Sequence, residues 1–292
     1  AAEGCDRKKA VKPAVRRELV DYLKQAHGVS IRRACRIAGI SDSVYRYRPD
    51  TSRDEPVIAA LQSATERYPA YGFSKLFKVL RRWGHEWNHK RVHRLYCALN
   101  LNKRRRGKKR LPTRNPEPLS VPVTVNRCWS MDFMSDSLFC GRRFRTFNVV
   151  DDFNREVLAI EIDLNLPAPR VIRVLERIIA WRGCPAKLRM DNGPEFISIA
   201  LADWAEQHGI ELEFIKPGTP TQNSYVERFN RTYRDEILNM YVFRNLTEVR
   251  ELTESWMTEY NDERPHDSLE NLTPWEYLAK HQRADNSNQR CN

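Results

Sequence analysis

Three acidic residues in the carboxy-terminal half occupy positions from which they could support one metal-dependent reaction. Asp132 lies among apolar and aromatic residues in WSMDFM, Asp191 follows the run LRM and precedes an Asn-Gly-Pro turn, and Glu227 lies in a charged run that predicts a helix. A buried carboxylate without a partner is costly, so Asp132 needs a compensating group. Carboxylates from a strand, a strand end and a helix can converge on two magnesium ions about 3.5 to 4 Å apart and support in-line phosphoryl transfer.

Each of these residues also has an ordinary structural interpretation. Asp132 could be an exposed strand residue, and Asp191 could cap a turn. Glu227 could form a surface ion pair with Arg231, which lies four residues later on the same predicted helix. Periodicity alone leaves these alternatives open.

Other acidic residues nearby are weaker candidates for a metal site. Asp151 and Asp152 are expected at the hairpin between two strands, where turn formation is favoured over metal binding. Asp136 lies four residues beyond Asp132 on the same predicted strand.

The pattern around the three carboxylates predicts a mixed α/β core. After residue 123 the β-rich runs NRCWSMDFMSDSLF, RRFRTFNVVDDF and REVLAIEIDLNL are separated by turn-forming residues, which predicts three consecutive antiparallel strands. The elements expected next are a helix near 170–181, a strand at 187–190, a helix near 195–208, a strand at 211–215 and a helix at 223–239. Asp132 would then lie in the first strand, Asp191 at the end of the fourth, and Glu227 in the last helix.

Two helical patterns ahead of this core have the proportions of DNA-binding modules. Ser30 can cap a helix, Gly39 allows a tight turn and Ser41 can cap a second helix, which predicts a helix-turn-helix; a small bundle without a DNA role is the alternative. Asn88 is expected to cap the last helix of a second pair. The apolar face of the first helix is expected to contain Val15, Leu19, Tyr22 and Leu23. The candidate DNA contacts of the second pair are Lys75, Lys78, Arg81, Arg82, Lys90, Arg91 and Arg94.

Charge is distributed unevenly along the 292 residues, whose net charge is +12. Residues 1–120 hold 29 Lys and Arg against 11 Asp and Glu, whereas residues 121–292 hold 21 against 27. The segment KRRRGKKR and the proline-containing stretch after it predict a basic linker that contacts DNA phosphates, with a solvated tether as the alternative. Its candidate DNA contacts are Lys103, Arg104, Arg105, Arg106, Lys108, Lys109 and Arg110.

Some functional classes are disfavoured by composition. The seven cysteines form no C-x-x-C pair, which indicates reduced thiols. No apolar stretch reaches the length needed to cross a bilayer. We therefore expect a cytoplasmic protein, associated with the nucleoid when bound to DNA, that does not act in a membrane.

The spacing and flanking residues of the carboxylates resemble a known family. Between Asp191 and Glu227 lie 35 residues, and Arg234 follows Glu227 by seven. With WSMDF, NVVDDFNRE, MDNGPEF, VERFNRTYRDEIL and YNDERPHDSLENLTPWEYL, these features are similar to the ribonuclease H-like transposases and retroviral integrases. Over nearly the whole chain the resemblance is to transposases of insertion-sequence family three, specifically the frame-B product. Met134 stands where family members often have Thr.

The resemblance implies an α/β fold with a ribonuclease H-like mixed-sheet core preceded by all-α helix-turn-helix modules. It implies that Asp132, Asp191 and Glu227 are catalytic and bind two Mg²⁺ ions, which Mn²⁺ can replace. It also implies a DNA contact at Arg234. Further DNA-contact candidates on that helix are Arg228 and Arg231.

The implied activity is cleavage at insertion-sequence ends and strand transfer. The implied partners are terminal inverted repeats, target DNA, other copies of the chain in at least a dimer on DNA, and a frame-A product or fusion. A DNA-binding regulator with an inactive core and a ribonuclease H-like nuclease are the alternatives. The expected domains are a helix-turn-helix at 1–50, a second such module at 51–102, the linker at 103–122, the catalytic core at 123–242 and a helical tail at 243–292.

Overall fold

The computed structural model describes residues 13–48, 52–102, 122–216 and 223–289. It divides into two compact units, Ala1–Ile58 and Ala59–Asn292. The predicted boundaries near residues 102, 122 and 242 all lie within the second unit. The candidate DNA contacts between Lys103 and Arg110 lie outside the described residues.

The described residues of the first unit form helices α1 Pro13–His27, α2 Ile31–Ala38 and α3 Asp42–Arg46. Gly39 takes the left-handed conformation that ends α2, with φ of 67°, and the Ser41 side chain accepts from the Val44 N–H at 3.2 Å. The predicted apolar face of α1 is wrong at most of its positions, because the helix buries Val20 instead, and of that face Leu23 packs against the core cluster of this unit. The exposed members of that face are Val15, Leu19 and Tyr22.

The second unit begins with helices α4 Glu55–Arg67, α5 Phe73–Arg82 and α6 His89–Ala98, the first of which starts just before the unit boundary. Asn88 caps α6 as predicted, since its side chain accepts from the Lys90 N–H at 2.8 Å. The inward face of α6 contains the buried residues Val92, Leu95 and Tyr96.

A five-stranded mixed sheet forms the centre of this unit. Its strands and flanking helices are β1 Trp129–Ser137, β2 Arg143–Asp151, β3 Val157–Asp163, α7 Ala168–Arg182, β4 Lys187–Met190, α8 Ile199–Gln207 and β5 Glu211–Phe214. The order across the sheet is β3-β2-β1-β4-β5. The first three strands pair antiparallel, whereas β4 pairs parallel with β1 and β5. This confirms the predicted chain order of three consecutive antiparallel strands followed by helix, strand, helix and strand.

Alternation along the strands gives the sheet two faces. Trp129 and Met131 of β1 lie in the core cluster that includes residues of α7 and α8. Met134 lies in a second cluster with Val226 and Phe229. Because side chains two residues apart share a face, Asp132 belongs to the same face as Met134.

Three helices and a π-helical turn complete the unit: α9 Ser224–Tyr233, the turn Arg234–Leu238, α10 Leu246–Asp262 and α11 Pro274–Gln289. Within the described residues, no helix combines the length and apolar character needed to span a membrane.

A buried ion pair anchors β4 to the β2–β3 turn and gives a test of the fold. Arg189 donates to Asp152 at 2.7 Å, and both side chains are buried. We predict that Arg189→Met lowers the free energy of unfolding by about 3 to 5 kcal/mol, because a buried carboxylate loses its partner. Urea denaturation would measure this loss.

The matched control is Arg177→Met, which breaks the exposed ion pair with Glu161 and should cost less than about 1 kcal/mol. Adding Asp152→Asn to Arg189→Met should restore part of the stability, because the orphaned charge is removed. Equal losses for the two single variants would contradict the assigned role of the buried pair.

Candidate active site

The Asp132 carboxylate is half-buried on β1 and accepts two hydrogen bonds. One comes from the N–H of Phe133 at 2.8 Å, and the other from the side-chain amide of Asn230 at 2.7 Å. Strand β1 therefore fixes one oxygen and helix α9 fixes the other. The side chain is held in one orientation before any ligand is present.

Asn230 is itself held by a second buried amide. Asn148 lies directly opposite Asp132 in the pairing of β1 with β2, and its side-chain N–H donates to the Asn230 carbonyl oxygen at 2.7 Å. The three side chains form a series of hydrogen bonds that runs from Asn148 through Asn230 to Asp132. We name this series of hydrogen bonds the amide relay.

Asp191 is brought level with Asp132 by the register of β1 and β4. Ser130 pairs with Arg189, and each acidic residue lies two positions further along its strand. The N–H of Gly193 donates to Asp191 at 3.1 Å. A Cβ at Gly193 would lie 3.0 Å from that same Asp191 oxygen, so the close turn favours glycine here.

Glu227 lies in the first turn of α9, one turn before Asn230, and its side chain is exposed. Partial burial raises the pKa of this carboxyl group, and the positive charge of Arg231 opposes that rise. Neither residue appears in an ion pair within the described structure, so the predicted alternative of a surface salt bridge is not formed.

The three carboxylates interact electrostatically. The pKa of Asp132 is raised to about 6, first by burial and then by the negative charges of Asp191 and Glu227, while the bonds from Phe133 and Asn230 act in the opposite direction. No ion pair to Asp132, Asp191 or Glu227 occurs among the described residues. Their uncompensated negative charge and oxygen donors suit a divalent cation such as Mg²⁺.

The three carboxylates are farther apart than the ligands of an assembled metal centre. Among the residues described, no three His, Cys, Asp or Glu side chains are grouped closely enough to hold an ion. Like charges repel, and binding of a cation would remove the repulsion that opposes a closer approach of these carboxylates.

The other acidic residues are used structurally. Asp151 accepts from the N–H groups of Asn126 and Phe153, which is turn chemistry of the kind expected. Asp152 is occupied by the Arg189 ion pair. Asp136 pairs with Arg234 at 3.2 Å.

The candidate DNA contacts have different environments. Arg234, besides its pairing with Asp136, donates to the carbonyl of Ser135. Lys78 and Arg82 point toward the carboxy-terminal segment of the chain and form ion pairs with Asp267 and Glu276. The exposed candidates in the described residues are Arg81, Lys90, Arg94, Arg228 and Arg231, whereas Lys75 and Arg91 are partly buried.

Sequence reasoning missed the amide relay and assigned Gly193 only a turn-shaping role. The position of Asn148 could have been recognised from the sequence, because β-strand alternation puts it on the same face of the sheet as Asp132. The sequence pointed less strongly to Asn230, which lies one helical turn after Glu227.

Comparison with known proteins gives matches along the chain. Integrase core domain models match residues 122–220 and 208–274, and a model of an HTH-like domain matches residues 52–109. The chain is 38% identical over 290 residues to the insertion element IS476 uncharacterized 39.2 kDa protein of Xanthomonas euvesicatoria, covering 98% of this chain and 84% of that protein. It is 40% identical over 261 residues to the insertion element IS407 uncharacterized 31.7 kDa protein of Burkholderia multivorans, with coverages of 89% and 94%.

A more distant relative is the transposase for insertion sequence element IS629 of Shigella sonnei, 24% identical over 281 residues, with coverages of 88% of this chain and 94% of that protein. Among solved structures, the HTLV-2 integrase catalytic core domain in complex with magnesium matches with a TM-score of 0.44 and 18% identity, covering 53% of this chain and 98% of that one.

The amide relay predicts a specific effect of Asn230→Ala. The change leaves the Asn148 amide without its acceptor and the Asp132 carboxylate without its donor, so it should cost about 1 to 3 kcal/mol of stability in urea denaturation. Mn²⁺ affinity, measured by calorimetry, should fall about 10- to 100-fold because the carboxylate loses its orientation. Asn239→Ala, at an exposed position after the same helical region, is the control and should change neither quantity. Unchanged Mn²⁺ affinity in Asn230→Ala would reject the positioning role.

The pKa of Asp132 predicts how stability depends on pH without metal. Because its pKa in the folded protein, about 6, exceeds the ordinary value of 3.8, Asp132 stabilises the fold most below pH 3.8 and that contribution is lost as the pH rises through 6. Asp132→Asn should therefore be more stable than the wild type by about 1 to 3 kcal/mol near pH 8 in EDTA. The difference should shrink toward pH 4.

Urea midpoints across this pH range would measure the effect. Asp203→Asn, an exposed acid on α8, should show no such pH-dependent gain. If Asp132→Asn proves equal to or less stable than the wild type near pH 8, the proposed electrostatic cost of the ionised carboxylate is incorrect.

Proposed function

This chain belongs to the insertion-element transposases that carry an integrase core domain, and from that membership we propose that it cleaves the ends of its insertion sequence and joins them to target DNA. The proposed catalytic residues are Asp132, Asp191 and Glu227. The proposed cofactor is Mg²⁺, as two ions that Mn²⁺ can replace.

The observation that carries this proposal is the placement of the carboxylates by the sheet and α9. Asp132 and Asp191 each lie two positions beyond a paired position of β1 and β4. Glu227 lies one helical turn before Asn230, whose amide donates to Asp132. Asp132 has a raised pKa to which both Asp191 and Glu227 contribute. A site that stores negative charge without a basic partner is suited to bind cations and to act on a phosphodiester with their help.

Each residue has a defined part in the proposed reaction. Asp132, oriented by Asn230, would hold a metal ion between β1 and the end of β4, where Asp191 supplies a second carboxylate. Glu227 would supply the third from α9. Mg²⁺, when bound, supplies charge neutralisation and makes a water or a DNA hydroxyl more nucleophilic. The proton held by Asp132 at low pH must leave before its carboxylate can act as a ligand, so protons compete with the metal ion and activity should fall at low pH.

The proposed chemistry has two balanced steps. In the first, a water oxygen bonds to phosphorus at the element end while the bond to the 3′-oxygen breaks, which leaves a 3′-hydroxyl and a 5′-phosphate. In the second, that 3′-hydroxyl oxygen bonds to the phosphorus of another phosphodiester and displaces its 3′-oxygen, so the number of phosphodiester bonds is unchanged. No covalent bond between protein and DNA is needed.

The proposed DNA partners are the terminal inverted repeats and the target duplex. The HTH-like module and the exposed residues of α9, including Arg231, would contact the phosphate backbone. Arg234 would contribute a DNA contact beside Asp136. We further propose at least a dimer on DNA and assistance by a frame-A product or fusion.

The decisive experiment follows cleaved and joined strands on labelled duplexes that carry the inverted repeats flanking the coding region. We predict that Asp132→Asn, Asp191→Asn and Glu227→Gln each abolish both products in Mg²⁺ while DNA binding in EDTA is retained. The reason is that each change removes a charged metal ligand but leaves the DNA-binding surfaces intact.

Asp203→Asn is the matched control and should retain both products. Cleavage without any joined strand from the wild-type chain would favour the nuclease, and DNA binding with neither product, alone or with a frame-A fusion, would favour the regulator. Strong strand transfer by any of the three carboxylate variants would reject the assigned triad.

A further inference from the structure

A second charged site lies beside α9, the helix that also carries Glu227. Its cavity of about 160 Å³ is lined by residues that include Lys75, Arg155, Tyr225, Arg228, Arg264 and His266. We name it the cationic pocket. It is built by parts of the second compact unit that are far apart in sequence: α5, the end of β2 with the β2–β3 turn, α9, and the end of α10 with the segment that follows it.

The charges of this pocket are unevenly compensated. Arg264 is buried and paired with Glu236. Within the described ranges, by contrast, no ion pair includes Lys75 or Arg228. Asp267, the acidic residue of the lining, is already paired with Lys78. The pocket thus retains positive charge that has no acidic partner among the residues that the structure describes.

Lys75 shows the consequence of this excess charge. Burial, followed by the positive charge of Arg264, lowers the pKa of Lys75 to about 8. Its ammonium group lies 5.1 Å from the centre of the Tyr71 ring, a contact that offsets only part of the desolvation. An anion in the pocket would favour the charged form of this lysine.

His266 provides an independent indication of a missing ligand. Its Nε2 atom is buried and has no hydrogen-bond partner among the described residues, although the ring lines the cavity. Burial and the neighbouring charges of Arg264 and Lys75 lower the pKa of His266, so the imidazole is neutral at neutral pH. A buried polar atom left unpaired costs about 1 to 3 kcal/mol, and an anion oxygen could accept from an Nε2–H.

The pocket lining also includes a guanidinium group stacked on an aromatic ring. The Arg155 guanidinium lies 3.4 Å from the centre of the Tyr225 ring, and Arg155 also donates to the carbonyl of Asp152. Its position is therefore fixed from two sides. Arg228 is exposed and can approach a ligand from solvent. A preorganised guanidinium, an ammonium group and an imidazole are well suited to the oxygens of a phosphate group.

The position of Arg228 favours a phosphate that belongs to DNA. It directly follows Glu227 on α9, so the pocket and the carboxylates lie on one helix at an angular separation of about 100°. A DNA backbone bound at the carboxylates carries further phosphates on the neighbouring nucleotides of the strand, so one of them can reach the pocket while its neighbour lies at the carboxylates.

We propose that the cationic pocket binds one backbone phosphate of DNA and thereby attaches the DNA strand to both α9 and the HTH-like module. This inference rests on the proposed function, because it takes DNA as the substrate. Its ligand class is the phosphodiester anion.

The test measures DNA binding by the full chain in EDTA, so that no cleavage occurs. Fluorescence anisotropy of a labelled duplex is recorded over a range of salt concentrations for the wild type, Lys75→Gln, Arg228→Gln and the double variant. The double variant should bind at least about tenfold more weakly, and the slope of log K against log salt should fall by about 0.9, the value for one lost phosphate. Arg173→Gln, an exposed arginine on α7, is the matched control and should change neither quantity.

A second measurement locates the phosphate. Replacing single phosphates of the duplex by neutral methylphosphonates should identify one position at which wild-type binding weakens but binding by the double variant does not. In a ¹⁵N-histidine-labelled chain, with His266→Gln used for assignment, the His266 Nε2 signal should shift when the intact duplex is added. Thermal unfolding of each variant checks that the fold is retained.

Several results would overturn the inference. An equal loss of affinity in Arg173→Gln would show general charge attraction, and a His266 shift with inorganic phosphate but not with DNA would identify a free-anion site. Binding is measured without divalent metal, so the two proposals can fail separately. If the expected loss of DNA binding is found but the wild type forms no cleaved product, only the proposed function is rejected. If the wild type cleaves DNA but the Lys75 and Arg228 substitutions leave DNA binding unchanged, only the inference is rejected.

Discussion

The hydrogen bond from the Asn230 amide to the Asp132 carboxylate joins the strand and the helix that carry the proposed catalytic groups. Apolar contacts such as those of Val226 and Phe229 hold α9 against the sheet, but such contacts are non-directional and leave rotation of the helix weakly defined. A hydrogen bond of 2.7 Å is directional. Because Asn230 lies one turn after Glu227, fixing the amide also fixes the direction from which Glu227 approaches the site.

The Asp132 carboxylate determines which groups donate and which accept along the amide relay. An ionised carboxylate can only accept hydrogen bonds, so Asn230 must present its N–H to Asp132 and its carbonyl oxygen to Asn148. Asn148 then has to act as the donor. The charge state of Asp132 thus sets the orientation of two buried side chains, and polarisation along the chain strengthens each bond. The sheet and the helix are coupled through the same carboxylate that would bind metal.

Local sequence patterns predicted the structural features that depend only on nearby residues, such as strands and helix caps. Strand alternation and the caps at Ser41 and Asn88 are confirmed, because each needs only a few consecutive positions. Helix α8 starts at Ile199 rather than near residue 195, since the Ser198 side chain caps it by accepting from Leu201. The family assignment, the transposase class and the fold class are likewise confirmed.

Contacts between residues that are far apart in the sequence could not be predicted from local sequence patterns. Lys78 and Arg82 have the spacing of a solvent-facing basic stripe, yet their partners, Asp267 and Glu276, lie nearly two hundred positions later. The α1 prediction failed for a related reason. Val15, Leu19 and Tyr22 fit a helical period, but packing against α2 and α3 selected the face of Val20 instead.

On helix α9, a negatively charged residue and a positively charged residue occupy adjacent positions and point in different directions. Glu227 belongs with the carboxylates, whereas Arg228 belongs with the cationic pocket, and the helical rotation of about 100° per residue keeps the two environments apart. A DNA phosphate approaching three carboxylates is repelled unless positive charge lies close by. Metal ions would neutralise the acidic side, and the cationic pocket would attract the neighbouring phosphates. In the proposed function, the acidic and the basic face of α9 would therefore bind the same DNA strand, and one rigid helix would fix the distance between them.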